Sequence, residues 1–191
     1  MAALFPRWTN AIYALAIVTL LLIVTAVILA PMIYVRTDYA SDQHRPVVQP
    51  IGFDHRHHTR DDEIDCLYCH PNAETTAYAG IPPTEVCMGC HGQIWADSPQ
   101  LALVRKSWRT GVAIGWKRVN AVPGYVYFQH DVHVHAGVTC ARCHGDVQNM
   151  ARVSRYAPLT MGWCIDCHRN PPNRPGGYRL TPLTTCSACH R

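Results

Sequence analysis

The chain has 191 residues, a formal net charge of +4 and 48% hydrophobic residues, a length that usually forms a single domain. All ten cysteines lie in five CxxCH runs, so none is left for a disulfide or for a separate thiolate metal site. Composition therefore excludes a domain stabilised by disulfides and makes the five runs the features that decide the class of protein.

The first predicted element is an apolar helix. Residues 11–35 contain no ionisable side chain apart from two tyrosines, and about 20 apolar residues suffice to cross a bilayer. A cleaved signal peptide is the alternative, but Ala30 is followed by Pro31 and preceded two positions earlier by Ile28, which makes a poor cleavage site. The segment therefore predicts an uncleaved transmembrane anchor over residues 11–35, after a polar stub of residues 1–10.

Beyond this anchor the CxxCH runs begin at residues 66, 87, 140, 164 and 186, and we number them runs 1 to 5. A CxxCH run is the attachment signal of a c-type haem, because its two thiols can add to the two vinyl groups and the adjacent histidine can bind the iron. Paired zinc knuckles are the alternative, but they give no reason for a histidine after every second cysteine. The sequence therefore predicts five covalently bound c-type haems.

The runs define the predicted attachment and ligand residues. The cysteines that bond the haems are Cys66, Cys69, Cys87, Cys90, Cys140, Cys143, Cys164, Cys167, Cys186 and Cys189. The proximal iron ligands are His70, His91, His144, His168 and His190. Five haems share the 155 residues after Arg36, so the haems must form most of the core. We expect a multihaem cytochrome c fold, mainly irregular, with short helices that carry the runs and little or no sheet.

Haem attachment also orients the anchor. Basic residues flank it on both sides, with Arg7 before it and Arg36 after it, so the positive-inside rule decides little. Attachment of c-type haems takes place on the outer face of the bacterial plasma membrane, where secreted domains also lie. We therefore expect a single-pass protein with a cytoplasmic N-terminus and a periplasmic pentahaem domain over residues 36–191.

An FxHxxH motif occurs twice, each time upstream of two haem runs. It begins at Phe53 and at Phe128, which defines an internal repeat over residues 48–95 and 122–170, with run 5 appended. The arrangement resembles the small class III multihaem cytochromes, in which both histidines of the motif are distal ligands of different haems. Two histidines three positions apart lie on one side of a helical turn yet diverge enough to reach two irons. The predicted distal ligands are His55, His58, His130 and His133.

One iron then has no assigned sixth ligand. Three further histidines, His44, His57 and His135, have no counterpart in the repeat, and we expect them to be surface or loop residues. Of the five methionines, two belong to the N-terminal anchor region and one lies inside a CxxC loop. Met150 or Met161 is therefore the candidate fifth distal ligand, and the sequence does not choose between them.

The insert between the repeats, residues 93–127, carries no haem run and is rich in basic and aromatic side chains. Such a mixture suits nucleic acid, a membrane surface or a partner protein, and a periplasmic location removes nucleic acid. Residues 37–191 contain 13 arginines, 2 lysines and 13 acidic residues. We expect part of the arginines to bind haem propionates, because guanidinium matches carboxylate geometry. A general preference for arginine over lysine explains the excess equally well.

Several stretches, together with the single anchor, resemble the pentahaem cytochrome c subunit of alternative complex III, a bacterial quinol oxidase system that replaces the cytochrome bc complex. The resemblance covers nearly all of the chain, in the stretches FDHRHH, IDCLYCH, AGIPPTEVCMGCH, VYFQHDVH and APLTMGWCIDCH. It implies a subunit of a respiratory or photosynthetic complex that passes electrons from quinol to a periplasmic acceptor. It also implies an iron–sulfur subunit resembling molybdopterin enzymes, quinol-binding integral membrane subunits and a monohaem cytochrome c subunit as partners.

Three other classes of protein fit less well. The anchored tetrahaem quinol dehydrogenases have four haems and a methionine two residues after the first haem histidine, where this chain has Asn72. A nitrite reductase would need an open haem with lysine or water below the iron, whereas every run here ends in histidine. A purely structural anchor would not explain five redox centres. We therefore expect an electron-transfer subunit with no catalytic residues of its own.

Overall fold

The computed structural model describes Pro6, residues 8–171 and residues 184–190. The chain divides into two compact units, Met1–Gln43 and His44–Arg191. The boundary predicted from the sequence, at residue 36, marks the end of the anchor and stays a prediction. The compact unit that contains the apolar segment also includes the short helix after it and ends at residue 43.

The first unit consists mainly of helix α1, Trp8–Tyr34, which has 27 residues and no acidic or basic side chain in its first or last turn. The helix begins three residues before the start of the predicted anchor, and it ends one residue before the end of that anchor. None of its residues is buried, and it is long and apolar enough to cross a membrane. Helix α2, Asp38–Ser41, follows after Thr37, whose hydroxyl accepts a hydrogen bond from the Ala40 backbone amide at 3.4 Å.

The second unit is built from short helices and loops, as the sequence predicts. Its α-helices are α3 Cys66–Cys69, α4 Thr84–His91, α5 Ala102–Thr110, α6 His130–His135, α7 Cys140–His144, α8 Met161–Arg169 and α9 Cys186–Cys189. A π-helix spans Arg56–Asp61, and 3₁₀ turns span Pro71–Ala73, Pro99–Leu101 and Val147–Asn149. In the described ranges the β-structure consists of isolated bridges, which include Pro46 with Ser154 and Val126 with His190.

Few side chains are buried by the polypeptide itself. Among the described residues, the buried hydrophobic side chains are those of Ala73, Val104 and Ala157. A domain that relied on its own side chains would bury far more apolar surface than this. The expectation that bound haems form most of the core agrees with this sparse packing.

The insert between the repeats packs onto the helix that carries run 2. Helix α5 lies against α4, and its residues Val104 and Ser107 are buried. The Ser107 hydroxyl lies 2.8 Å from the hydroxyl of Thr84 at the start of α4, and it donates to the Val112 carbonyl at 2.7 Å. The insert therefore supports the position of run 2 without carrying a run of its own.

A glycine ends the helix of run 3. Gly145 has φ 72° and ψ −164°, a region of the backbone map that only glycine adopts readily. A Cβ atom at this position would lie 2.6 Å from the ring of Tyr156. The absence of a side chain at Gly145 therefore lets the ring of Tyr156 pack closely against the end of run 3.

Candidate functional site

Each CxxCH run starts at one of two positions in the helix that carries it. Runs 1, 3 and 5 begin at the first residue of α3, α7 and α9, whereas runs 2 and 4 begin at the fourth residue of α4 and α8. The residue before each of these helices has an extended backbone. The first run of each repeat therefore shares one register and the second run shares another, which extends the sequence repeat to the local structure.

One helical turn brings the groups of a run together. In run 1 the Asp65 carboxylate accepts a hydrogen bond from the Leu67 amide at 2.8 Å and so starts the turn. Cysteines three positions apart then lie on the same side of the helix. The His70 amide donates to the Cys66 carbonyl at 2.9 Å, which fixes the histidine directly after the turn.

Both FxHxxH motifs fold to the same ring geometry. Phe53 meets the ring of His55 edge-on at 4.7 Å between centroids and stacks on His58 at 4.5 Å. Phe128 meets His130 edge-on at 4.8 Å and stacks on His133 at 4.4 Å. The phenylalanine thus separates two histidines and turns them in different directions.

Three of these motif histidines face a run histidine. The ring centroids are 6.1 Å apart for His58 and His91, 6.4 Å for His130 and His144, and 6.0 Å for His133 and His168. Two imidazoles that bind one metal from opposite sides, with metal–nitrogen bonds of about 2 Å, have centroids about 6 Å apart. The spacing of the three pairs therefore fits an iron between the rings.

The fourth motif histidine lies near run 1. Burial, and then the neighbouring His70, lower the pKa of His55 to about 4. Burial also lowers the pKa of His70, His133 and His144. A histidine must be neutral to bind a metal, so this environment favours the protonation state that ligation requires.

Most of these rings are held through Nδ1. A neutral imidazole carries one N–H, so donation from Nδ1 to an oxygen leaves the Nε2 lone pair available for a metal. The Nδ1 atoms of six predicted ligands lie 2.6–3.1 Å from backbone carbonyl oxygens. These pairs are His58 with Asp54, His70 with Gly80, His91 with Ile94, His130 with Ala77, His133 with Gln129 and His190 with Tyr125.

Two predicted ligands depart from this pattern. The His144 Nδ1 atom meets the side-chain amide of Asn120 at 3.1 Å, and the His55 Nδ1 atom is buried with no hydrogen-bond partner among the described residues. Asn120 is not among the residues predicted from the sequence. It lies 24 positions before His144 in the insert and belongs to no motif, so the sequence offers no signal for it.

The unmatched histidines have other surroundings. The ring nitrogens of His57 each lie 3.9 Å from a carboxylate, of Asp61 and of Asp62, and the ring stacks on Trp95 at 5.9 Å. His135 has its Nδ1 atom 2.7 Å from the Asp131 carbonyl and is exposed. His44 meets the ring of Tyr156 edge-on at 6.1 Å.

The histidine of run 5, His190, lies beside residues 125–127. Its ring lies 5.9 Å from that of Tyr125, and the Tyr127 amide donates to the Cys189 carbonyl at 2.9 Å. Met161 is the first residue of α8 and is 68% exposed, whereas Met150 follows a 3₁₀ turn and is half-buried. The choice between the two methionines stays a prediction.

Thiols of different runs lie within electrostatic range of each other. Burial and then a neighbouring thiol raise the pKa of Cys66, Cys69, Cys143 and Cys164. The largest thiol neighbours are Cys140 for Cys66, Cys87 for Cys69, Cys167 for Cys143 and Cys189 for Cys164. The thiol neighbours of run 1 therefore belong to runs 2 and 3, that of run 3 to run 4, and that of run 4 to run 5.

The donors are not arranged as zinc sites. Within residues 8–171 and 184–190, no three side chains of His, Cys, Asp or Glu converge as a bound ion would require. The imidazoles instead face each other in pairs, and the thiols sit in single helical turns. This donor set fits c-type haem, which would be held by the two cysteine sulfurs of a run and by histidine nitrogens.

Some cations of the insert have structural partners. The Arg105 guanidinium donates to the carbonyls of Ala96 at 2.6 Å and Ser98 at 2.9 Å. Arg118 lies over the ring of Tyr78 at 5.2 Å. At least these two arginines therefore have structural roles, in addition to any role toward propionates.

Comparison with known proteins agrees with this chemistry. Residues 126–191, which hold the second FxHxxH motif and runs 3 to 5, match the family model described as cytochrome c7 and related cytochrome c. The chain is also similar to the multiheme cytochrome c subunit of menaquinone reductase from Nitratidesulfovibrio vulgaris (strain Hildenborough). The two are 29% identical over 164 residues, which is 75% of this chain and 77% of the relative. The protein therefore contains a multihaem cytochrome c domain and functions in electron transport through covalently bound c-type haems.

Proposed function

We propose that this chain is a membrane-anchored subunit that carries electrons between a quinol-oxidising partner and a periplasmic acceptor, in a complex similar to alternative complex III. The observation that carries the proposal is the set of facing imidazoles about 6 Å apart, each beside a CxxCH run. Such pairs suit one-electron carriers, because two axial nitrogens leave no position for substrate. The chain thus supplies a conduit, and its partners supply the chemistry on quinol.

Five haems, when bound, supply one-electron carriers whose potentials depend on axial ligand and surroundings. The chain's own residues hold and orient them. We assign His55 to run 1, His58 to run 2, His130 to run 3 and His133 to run 4, so each FxHxxH motif serves both runs of its own repeat. The fifth pair is His190 with Met150 or Met161.

The neighbouring thiols support a spatial order of runs 2, 1, 3, 4, 5. In this order run 2 and run 5 are the ends and run 3 lies in the middle. Electrons that enter at one end would visit every site before they leave. A high-potential His/Met site at run 5 would favour exit there, since a thioether ligand raises the reduction potential.

The proposed surroundings follow from the anchor. Helix α1 would span the plasma membrane with a cytoplasmic N-terminus and place residues 36–191 in the periplasm. The partners would be quinol-binding integral membrane subunits, an iron–sulfur subunit resembling molybdopterin enzymes and a monohaem cytochrome c subunit. No nucleic acid is expected in this compartment.

In a second candidate function, the chain transfers electrons in the opposite direction, towards quinone. The similar protein from Nitratidesulfovibrio vulgaris is a subunit of a menaquinone reductase by name, which favours delivery of electrons to quinone. The anchor and the haem sites would serve either direction equally. The potentials of the two end sites and the quinone partner decide between them.

Rapid mixing of the purified complex tests the direction. With a soluble menaquinol or ubiquinol analogue added to the oxidised complex, we expect the haem α-band to rise within milliseconds to seconds and an inhibitor of the quinol site to block the rise. The quinone-reducing alternative predicts instead that a quinone analogue reoxidises the dithionite-reduced haems, while quinol leaves the oxidised haems unchanged. Failure of both reactions would contradict a quinol-linked function.

A further inference from the structure

The axial histidine of run 3 is held by a side chain. Asn120 places its carboxamide nitrogen Nδ2 3.1 Å from the His144 Nδ1 atom. The Asn120 oxygen Oδ1 is buried and has no hydrogen-bond partner among the described residues. Six other predicted ligands use a backbone carbonyl for the same purpose, so run 3 differs from most of its neighbours in the group that meets Nδ1.

The protonation state of a ligand histidine fixes which atom of the amide must face it. If Nε2 binds a metal, the single N–H of neutral His144 lies on Nδ1, so Nδ1 is a donor and needs an acceptor. An amide nitrogen cannot accept, whereas a half-turn of the carboxamide, which exchanges two atoms of similar size, presents Oδ1. The rotated amide also provides the buried oxygen with a donor.

We propose that Asn120 is a positioning residue whose carboxamide oxygen accepts the Nδ1–H hydrogen bond of His144 and thereby sets the reduction potential of the haem at run 3. The inference rests on the proposed function, because it takes His144 as an iron ligand. A stronger acceptor at Nδ1 makes the imidazole a better donor to the metal and favours the ferric state. A residue substitution can change this acceptor, whereas a backbone carbonyl cannot be exchanged in that way.

Two substitutions of similar shape separate this role from simple packing. Asn120→Asp offers a carboxylate, a stronger acceptor, and Asn120→Leu removes the acceptor while keeping the volume. Asn149→Asp is the matched control, because Asn149 is exposed and its side chain contacts Asp146 and Arg60 rather than an axial ring. Each full-length variant is purified in detergent, its haem content is measured, and the haems are titrated spectroscopically at pH 8.

We expect one component, about a fifth of the haem absorbance, to move to lower potential in Asn120→Asp and to higher potential in Asn120→Leu. A tenfold change in the redox equilibrium corresponds to about 59 mV for a one-electron centre, and we expect at least that shift in each direction. Asn149→Asp should move no component. Loss of one haem from Asn120→Leu alone also supports the proposal, because only that variant lacks an acceptor.

Three results would overturn the inference: shifts in the same direction in both variants, shifts below twofold in equilibrium, or loss of a haem from both. Failure of the underlying ligand assignment is seen separately. If His130→Ala leaves every haem low-spin, the pair of His130 and His144 does not bind iron and the proposed site is wrong. If that variant shows one high-spin haem but the Asn120 variants do not shift, the ligand assignment stands and the role of Asn120 is wrong.

Discussion

At the scale of single residues, the direction in which an imidazole points matters as much as its presence. A carbonyl that accepts from Nδ1 selects the tautomer and fixes the ring about its bonds to the backbone, so that Nε2 faces its partner. The phenylalanine of each motif adds a second constraint, because one histidine stacks on its ring and the other meets it nearly at right angles. Two histidines three positions apart can therefore serve two sites without competing for one.

Replacement of single histidines tests these assignments. We expect His55→Ala, His58→Ala, His130→Ala and His133→Ala each to convert one low-spin haem to high-spin, because each variant removes one axial nitrogen. His57→Ala and His135→Ala are matched controls on the same two segments and should leave the spectrum unchanged. Electronic absorption and electron paramagnetic resonance of the oxidised protein make the measurement.

A redox titration followed by absorption, together with the same spectra, examines the fifth site. Either Met150→Leu or Met161→Leu should remove a minority high-potential component, about a fifth of the haem absorbance. Unchanged spectra in both methionine variants would move the sixth ligand of run 5 to His44, His57 or His135. An unchanged spectrum in any of the four alanine variants of the motifs would contradict that particular ligand.

The motif histidines could be selected from the sequence because the repeat marks them twice. The repeat also fixes their rings: Phe53 and Phe128 hold the two pairs at nearly equal distances. Asn120 could not be found in this way, since its role depends on a contact between residues 24 positions apart and the other repeat offers no counterpart. The sequence also does not indicate which run histidine each motif histidine faces, because that depends on tertiary packing.

At the scale of elements, the two repeats reach the same ring geometry on different backbones. The first motif continues into a π-helix, Arg56–Asp61, and the second into α6, His130–His135. A π-helical segment carries one residue more per turn than an α-helix, and such segments occur often at functional sites. The shared FxHxxH pattern does not predict helix type, because the same motif precedes a π-helix in one repeat and an α-helix in the other. The expectation of short helices and little sheet was confirmed for the described residues.

Helix α1 is expected to anchor the protein in the membrane. Because the helix is uncharged and its residues are exposed, we expect the protein to remain in the membrane fraction after washes with high salt and with alkaline carbonate. A variant that starts after residue 36, behind a cleavable export signal, is the matched control and should appear in the soluble periplasmic fraction with its haems attached. Release of the full chain by salt alone, or a mature N-terminus after Ala30, would contradict an uncleaved anchor.

At the scale of the whole molecule, the proposed spatial order of the runs differs from their order in the chain. Run 1 has thiol neighbours in both run 2 and run 3, although run 2 follows run 1 in the sequence. In the proposed order, the first repeat joins the row of sites through run 1, and the second repeat continues the row through run 3. This order could not be deduced from spacing, since all runs have the same sequence pattern.

The intact protein is expected to carry one haem on each CxxCH run. We expect five haems per chain in a pyridine haemochrome assay calibrated by amino-acid analysis, and no thiol that reacts with iodoacetamide after denaturation. Both follow if every cysteine forms a thioether bond. A variant in which the histidine of every run is changed to alanine is the comparison. It shows how many haems are attached when the proximal ligands are missing. Ten reactive thiols together with bound zinc in the native protein would support zinc knuckles instead.

The neighbouring thiols of Cys66 and Cys140 are separated by 74 residues of chain. A ribosome adds about 5–20 residues per second, so run 3 is synthesised about 4 to 15 seconds after run 1. During that interval the surface of the first repeat that will meet run 3 faces solvent. Elongation of the nascent chain therefore sets only the earliest time at which this part of the molecule can close, because export and haem attachment must follow.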